Sequence, residues 1–175
     1  MTDRIRDARA SDRAAIEAVT LSAYEQYSVV MPPALWVRYR ENIVSTLAAA
    51  PPDTQIVAEE DGRIVGSVLL YPAGAHLDRP GGGSMALTFP EVRLLAVSPS
   101  VRGQGIGARL MEECVRRARE SGATALTLHT TDMMRAAMRL YERLGFQPTP
   151  ELDFEPAPGV TVKGFRLSLS AGTAS

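Results

Sequence analysis

The segment Val101-Arg102-Gly103-Gln104-Gly105-Ile106-Gly107-Ala108 constrains this 175-residue chain more than any other. It lies between an apolar run, Glu91–Val97, and an amphipathic run, Gly107–Glu120. In the first, Val92, Leu94, Leu95, Ala96 and Val97 are apolar, which predicts a central strand buried on both faces. In the second, Leu110, Met111, Cys114, Val115 and Ala118 share one helical face, with Arg109, Glu112, Glu113, Arg116, Arg117 and Arg119 mostly on the other. A turn that feeds a helix leaves the helix's first amides without intrahelical partners, and those amides and the helix dipole favour an anion. Glycines let the backbone approach phosphate oxygens with no Cβ in the way, and Arg102 adds positive charge at the same place. The segment is built to hold a phosphate or pyrophosphate.

The rest of the chain supplies the elements around this turn. Arg4–Ala8 reads as a first strand, and Ser11-Asp12 as the N-cap of a helix over Ala14–Ala23. Pro32-Pro33 opens a second helix, Ala34–Ala49, and Pro51-Pro52 closes it. Gln55–Glu60 and Arg63–Tyr71 are strand-like and joined by Asp61-Gly62, a hairpin signal because a type I′ turn needs positive φ. Pro72–Pro90, with Gly81-Gly82-Gly83, reads as a loop or flap too long for a simple turn. Ala125–Thr130 is a strand. Thr131 or Asp132 is the expected cap of a helix with the stripe Met134, Ala137, Met138, Tyr141 and Leu144, stopped by Gly145. A Pro-rich loop leads to a last strand, Val160–Leu169, and 171–175 reads as a frayed tail. This order predicts one α/β (α+β) domain over 1–175, with a parallel pair in its late strand–helix–strand unit.

Two other phosphate-binding motifs compete for the turn. Gly103-x-Gly105-x-x-Ala108 satisfies the dinucleotide fingerprint. That fingerprint should follow its strand directly and open a βαβ unit near the start of a domain, whereas here Ser98–Arg102 intervene and several elements precede. No Lys-Ser or Lys-Thr follows the glycines, which excludes the ATP-binding P-loop.

Arg102-x-x-Gly105-x-Gly107 resembles the coenzyme A pyrophosphate loop of the GNAT N-acetyltransferase superfamily. Leu95-Ala96-Val97 before Ser98-Pro99 looks like that family's central strand. Asp61-Gly62-Arg63-Ile64-Val65-Gly66 looks like its middle hairpin, and Leu140-Tyr141-Glu142-Arg143-Leu144-Gly145-Phe146 like its C-terminal signature. These segments occur in the family's order. The resemblance implies a mixed, mostly antiparallel sheet with flanking helices and a splayed parallel strand pair. It implies acetyl-CoA as co-substrate and an amine as acceptor.

Carried over residue by residue, the resemblance gives backbone contacts to the pantetheine arm at Leu95, Ala96 and Val97. Pyrophosphate contacts fall at Arg102, Gly103, Gln104, Gly105, Ile106, Gly107 and Ala108. Tyr141 matches the tyrosine that hydrogen-bonds the leaving sulfur, although its place on a helix stripe also suits core packing. Glu91 matches the glutamate with which some members deprotonate the amine, often through water; the rival reading is a solvated strand-end carboxylate. Where an asparagine often contacts the pantetheine region, this chain has Met134, so that contact is apolar only, or Asp132 or Arg135 replaces it. Tyr24, Tyr27, Trp36 and Tyr39 fall in the helices that cover the family's acceptor groove. Tyr24 and Tyr27 are the candidates for substrate contact, the others for packing.

An acceptor ammonium with a pKa of about 10.4 costs roughly 4–5 kcal/mol to deprotonate at pH 7, so a base or a water relay is needed. Cys114 lies on an apolar helix face with no histidine beside it, as an inert core thiol does. His76 falls in the long loop and His129 ends a strand; two histidines and one cysteine suggest no metal site. A net charge of −1 favours neither nucleic acid nor a membrane surface. The single cysteine, and the lack of an apolar run of leader or membrane-spanning length, point to a cytoplasmic protein. The expected partner is a small-molecule or peptide amine, and a homodimer stays open. A non-catalytic acyl-CoA sensor on the same fold and a dinucleotide-dependent oxidoreductase are the competing functions.

Overall fold

In the computed structural model, residues 3–78 and 83–169 are described. Gly81, Gly82 and the 171–175 tail, expected as part of a flap and as frayed, lie outside them. The elements, in chain order, are β1 (Asp3–Asp7), α1 (Arg13–Tyr24), α2 (Pro33–Ala49), β2 (Gln55–Glu60), β3 (Arg63–Tyr71), β4 (His76–Asp78) and β5 (Ser84–Ala86). Then come β6 (Glu91–Val97), α3 (Ile106–Glu120), β7 (Ala125–Thr130), α4 (Arg135–Arg143), β8 (Gln147–Pro148), β9 (Phe154–Ala157) and β10 (Val160–Ser168). Strand pairing is mostly antiparallel, with a parallel pair β6–β7, as the resemblance implied.

The chain divides into two compact units. The first holds 3–70 and 94–113. Here β1 pairs with β2 and β2 with β3, both antiparallel, and the Ser98 N–H after β6 donates to the Val65 carbonyl of β3 at 2.8 Å. Asp61 (φ 47) and Gly62 (φ 78) form the expected left-handed turn between β2 and β3. Gly66 is where β3 meets its neighbours most closely. A Cβ there would come within 3.1 Å of the Ala96 carbonyl and of Leu110 Cδ1, and 3.2 Å of Ile106 Cγ2. The bare glycine thus lets the start of α3 settle against β3 and the end of β6.

Asp12 is the N-cap residue of α1, as expected, but its side chain makes no bond to the helix amides. Its carboxylate accepts from the Arg9 amide at 2.7 Å and from Arg6 Nη1 at 2.7 Å, while Arg6 Nε donates to Glu59 at 2.7 Å. The buried Arg6 guanidinium holds the Asp12 carboxyl below its usual range. With Arg6 on both of its oxygens and the Arg9 amide on one of them, the Asp12 carboxylate is engaged away from the helix amides.

The second unit holds 71–93 and 114–169. The N-terminal end of β6 runs parallel to β7 in the register Glu91–Thr127 and Val92–Leu128, and β10 pairs antiparallel with β7, β8 and β9. Three expectations are corrected here. The long break at 72–90 contains a hairpin: β4 and β5 pair as His76–Ala86, Leu77–Met85 and Asp78–Ser84. Strands this short carry too little alternation to stand out in sequence. The Pro-rich stretch before the last strand likewise contains β8, a 3-10 turn at Pro150–Leu152 and β9. Finally, α4 starts at Arg135, with Met134 at the N-cap and no side-chain cap. The Met134 amide closes a turn on the Thr131 carbonyl at 2.9 Å, and Asp132 is taken by Lys163 Nζ at 2.7 Å.

The strand β6 is less uniformly buried than its apolar run implied. Glu91, Val92 and Ala96 are buried, and Arg93, Leu94, Leu95 and Val97 are half-buried. Leu94 takes φ +50, a costly conformation for leucine that breaks strand alternation midway.

Candidate functional site

The glycine turn has the backbone an anion cradle needs. Gly103 (φ 77) and Gly105 (φ 79) both sit in the left-handed region, and space within 4 Å of where their Cβ atoms would lie is empty. Positive φ at alternate glycines turns successive amides inward, and α3 begins at once, at Ile106. Ile106 is buried while Gly103, Gln104 and Gly105 are exposed, so the helix start is anchored from below and bare above. The residues present thus suit a pyrophosphate: exposed glycine backbone and a helix N-terminus, with no side chain in the way.

Arg102 is also exposed, but its Nη2 donates to the Ala23 carbonyl at the end of α1, at 3.0 Å. Side-chain charge here is therefore tied to α1 as well as lying near the turn. Of the pantetheine positions, Ala96 is buried and Leu95 and Val97 half-buried.

The aromatic candidates form a packed seam. Tyr24 meets Tyr27 at 5.8 Å and Tyr39 at 6.1 Å between ring centroids, and Trp36 meets Tyr39 at 6.2 Å. Tyr24 is buried and Tyr27 half-buried. Burial pushes the Tyr27 hydroxyl pKa up, partly opposed by the nearby Arg102 charge.

In the second unit the structure gathers around Glu91 side chains that the sequence did not single out. Glu91 is not a solvated strand-end group: it is 3% exposed. Its Oε1 lies 3.0 Å from His129 Nδ1, and its Oε2 accepts from Arg93 Nε at 2.9 Å. His129 Nε2 lies 3.0 Å from the Leu152 carbonyl, and its ring meets Phe154 edge-on at 5.4 Å. Arg93 lies 6.0 Å from the centre of the Tyr71 ring. Burial alone would raise the Glu91 pKa, but His129 and Arg93 together reverse this and hold it below the usual carboxylate value. Burial would lower His129, and Glu91 with the Leu152 carbonyl raises it above the ordinary imidazole value. The signal in the sequence is strand alternation, which puts Thr127 and His129 on one face of β7; the β6–β7 register, with Glu91 beside Thr127, then brings Glu91 near His129.

Tyr141 is buried on α4 at 6% exposure, with its ring 6.0 Å from Phe146. Met134 is buried at the start of the same helix. Between β7 and that helix, the buried hydroxyls of Thr130 and Thr131 have no hydrogen-bond partner among the described residues. Cys114 is buried in α3. Among the described residues, no group of three His, Cys, Asp or Glu side chains is placed to hold a metal, and no helix is long and apolar enough to cross a membrane.

Comparison with known proteins meets this geometry. Residues 16–146 match the sequence model of the Acetyltransferase (GNAT) family. An uncharacterized N-acetyltransferase of Bacillus subtilis, YhfO, is 30% identical over 143 residues, covering 82% of this chain and 89% of its own. N-acetyltransferase 8 of Rattus norvegicus is 38% identical over 95 residues, 54% of this chain. That match covers 40% of the rat protein, so the chain spans well under two thirds of such relatives. Among solved structures, a GNAT family acetyltransferase from Brucella melitensis in complex with acetyl-CoA superposes with a TM-score of 0.63 at 24% identity, over 97% of this chain and 89% of that one.

Proposed function

The chain belongs to the GNAT acetyltransferase family, and on that premise we propose that it transfers the acetyl group of acetyl-CoA to a primary amine by direct attack in a ternary complex. The observation that carries this reading is the glycine turn: Gly103 and Gly105 in the left-handed region, exposed, feeding the bare start of α3. Amides of Gly103–Ala108 bind the pyrophosphate, and backbone of Leu95–Val97 aligns the pantetheine arm. The acetyl-CoA held by the Brucella acetyltransferase supports the choice of acyl donor.

The amine must be neutral before its nitrogen attacks the thioester carbonyl. Glu91, ionised though buried, accepts that proton directly or through water. As the C–S bond breaks, Tyr141 donates to the departing sulfur. A thiol pKa of about 8.5 makes this worth only about 2 kcal/mol near pH 7, so proximity supplies most of the acceleration. Tyr24 and Tyr27 contact the acceptor at the edge of the aromatic seam. The acceptor is a small molecule or a peptide amine.

The test is thiol release from acetyl-CoA across a panel of small amines and peptides, run with wild type and Tyr141→Phe. Release with at least one amine, reduced about 10- to 100-fold in the variant while acetyl-CoA affinity holds, is the expected result. Tight acetyl-CoA binding with no release from any amine favours a sensor. Failure to bind acetyl-CoA at all overturns the reading.

A further inference from the structure

We propose that His129 is the positioning residue of the proton-accepting site: as an imidazolium it bonds the Glu91 carboxylate through Nδ1 and the Leu152 carbonyl through Nε2, and so keeps Glu91 charged and aimed. This rests on the acetyl-transfer reading above, in which Glu91 accepts the amine's proton. A carboxylate and a backbone carbonyl can only accept hydrogen bonds, and both lie 3.0 Å from a ring nitrogen. A neutral imidazole has one N–H and one lone pair, so it satisfies one of these partners and sets a lone pair against the other. Only the doubly protonated ring satisfies both.

The surroundings are arranged to keep that state. The groups facing the ring are Glu91 and Arg93 from β6, the Leu152 carbonyl from the 3-10 turn, the Phe154 ring from β9 and, across the ladder on β10, Gly164. Gly164 matters because it has no side chain: a Cβ there would fall 2.3 Å from Leu152 Cβ. Its absence lets the turn sit on β10. The Thr149 amide bonds the Gly164 carbonyl at 2.8 Å, and the Gly164 amide bonds Asp153 Oδ1 at 2.8 Å. The nearby acid Asp153 is thereby engaged on β10, and Lys163 is drawn to Asp132. What reaches His129 from this side is a carbonyl.

The consequence for Glu91 follows from its burial. A carboxyl at 3% exposure without counter-charge becomes neutral and cannot accept a proton. Arg93, itself half-exposed, engages one oxygen, and His129 engages the other. Both ions are present between the ordinary carboxylate and imidazole values, 4.5 and 6.5, and their shifts widen that window at both ends. Above the raised His129 value the ring loses a proton and Leu152 its donor. Below the lowered Glu91 value the carboxylate is lost.

The experiment uses His129→Gln, which keeps an N–H donor and removes the charge. Turnover against pH at saturating acetyl-CoA should show the acidic limb displaced upward by about one unit, so that activity on that limb falls about tenfold. A residue that only supports the fold lowers the rate at every pH and leaves the limb where it was. The chain has two histidines, so in a His76→Gln background His129 gives the one histidine signal in an NMR titration. That signal should titrate above 6.5 with both ring nitrogens protonated, and should move down in Glu91→Gln, whether or not an acceptor amine is known. An unmoved acidic limb in an active, folded His129→Gln protein overturns the proposal. So does a His129 titration indifferent to Glu91→Gln. Wild type that releases no thiol with any amine is instead the failure of the acetyl-transfer reading, and the NMR titration then still decides the ion pair.

Discussion

The glycine turn of the first unit and the Glu91 cluster of the second are assembled by opposite means. The turn is made of backbone: consecutive residues, positive φ at Gly103 and Gly105, and the start of a helix. The cluster is made of side chains from separate stretches of chain, Glu91 and Arg93 on β6 and His129 on β7, closed by a carbonyl at Leu152. A backbone site tolerates changes of side chain provided the backbone can still adopt its angles. A side-chain site fails when one atom is lost, because a buried charge is left without its partner. Substitutions at each should therefore fall into different classes.

The largest effect should come from placing charge in the backbone site. In Gly105→Asp the carboxylate projects where the structure has empty space, toward the proposed pyrophosphate. Asp is among the side chains that tolerate the left-handed region, so the fold should survive a strain of about 1 kcal/mol. Two like charges about 4 Å apart near a protein surface repel by about 4 kcal/mol, so acetyl-CoA affinity should fall at least about 100-fold by calorimetry. Gly105→Asn has nearly the same shape without the charge and should lose far less. If the two variants bind alike, the turn acts through shape and its assignment as an anion site is wrong.

Next in size is Glu91→Gln, which removes the proton acceptor and leaves His129 beside a neutral amide. Turnover should drop about 100-fold with acetyl-CoA affinity nearly unchanged, and the acidic limb should flatten. Stability should change with the sign set by the shifts. The stabilisation from a lowered carboxylate is present above its ordinary value and is lost as pH falls through the lowered one. Wild type and Glu91→Gln should thus differ most in melting temperature near neutral pH and converge in acid. Equal turnover at every pH removes Glu91 from the reaction.

These two sites also mark where the sequence could be read and where it could not. The turn was legible because its information is local: glycine spacing, a preceding apolar strand and a following amphipathic helix lie within thirty residues. The hairpin at Asp61-Gly62 was legible for the same reason. Glu91 was singled out, but as a residue equally suited to solvent, because burial at a strand end depends on what lies beside the strand. By its position in the sequence His129 only ends a strand. Its role needs the β6–β7 register and the turn at Leu152, and the turn sits inside a stretch whose prolines suggested plain loop. Asp12 is a different case: its place at the N-cap is legible, but its bond to Arg6 depends on how β1 passes the start of α1, which no local pattern encodes.

A smaller effect should separate the two glycines. Gly105 is a glycine for its φ, with empty space around it; Gly164 carries no left-handed angle, but a Cβ there would fall 2.3 Å from Leu152 Cβ. Gly164→Ala should therefore overpack, costing about 1–3 kcal/mol by denaturant titration. It should also push the Leu152 carbonyl off His129, lowering the His129 pKa by NMR. Gly105→Ala should cost about 1 kcal/mol and leave His129 untouched. If Gly164→Ala lowers stability but His129 titrates as in wild type, the Leu152 carbonyl is incidental to the histidine.

The smallest effect should come from Arg102, and it bears most directly on whether the turn is a backbone site. Its guanidinium donates to the Ala23 carbonyl at 3.0 Å while the residue itself is exposed. An exposed charge near a phosphate is weakened by solvent and salt, and such pairs contribute about 0.2–1 kcal/mol. Arg102→Gln keeps an amide donor for Ala23 and the backbone amide at that position, and removes the charge. Acetyl-CoA affinity should then fall about fivefold or less at physiological salt, and the gap between variant and wild type should narrow further as salt rises. The same titrations on Gly105→Asp should start from a deficit of at least about 100-fold and recover only in part as salt rises, because its carboxylate lies within a Debye length of the phosphate. A loss for Arg102→Gln as large as that for Gly105→Asp would mean that the guanidinium leaves Ala23 and holds the phosphate itself. The turn would then be a side-chain site like the one around Glu91, and the contrast between the two regions would be lost.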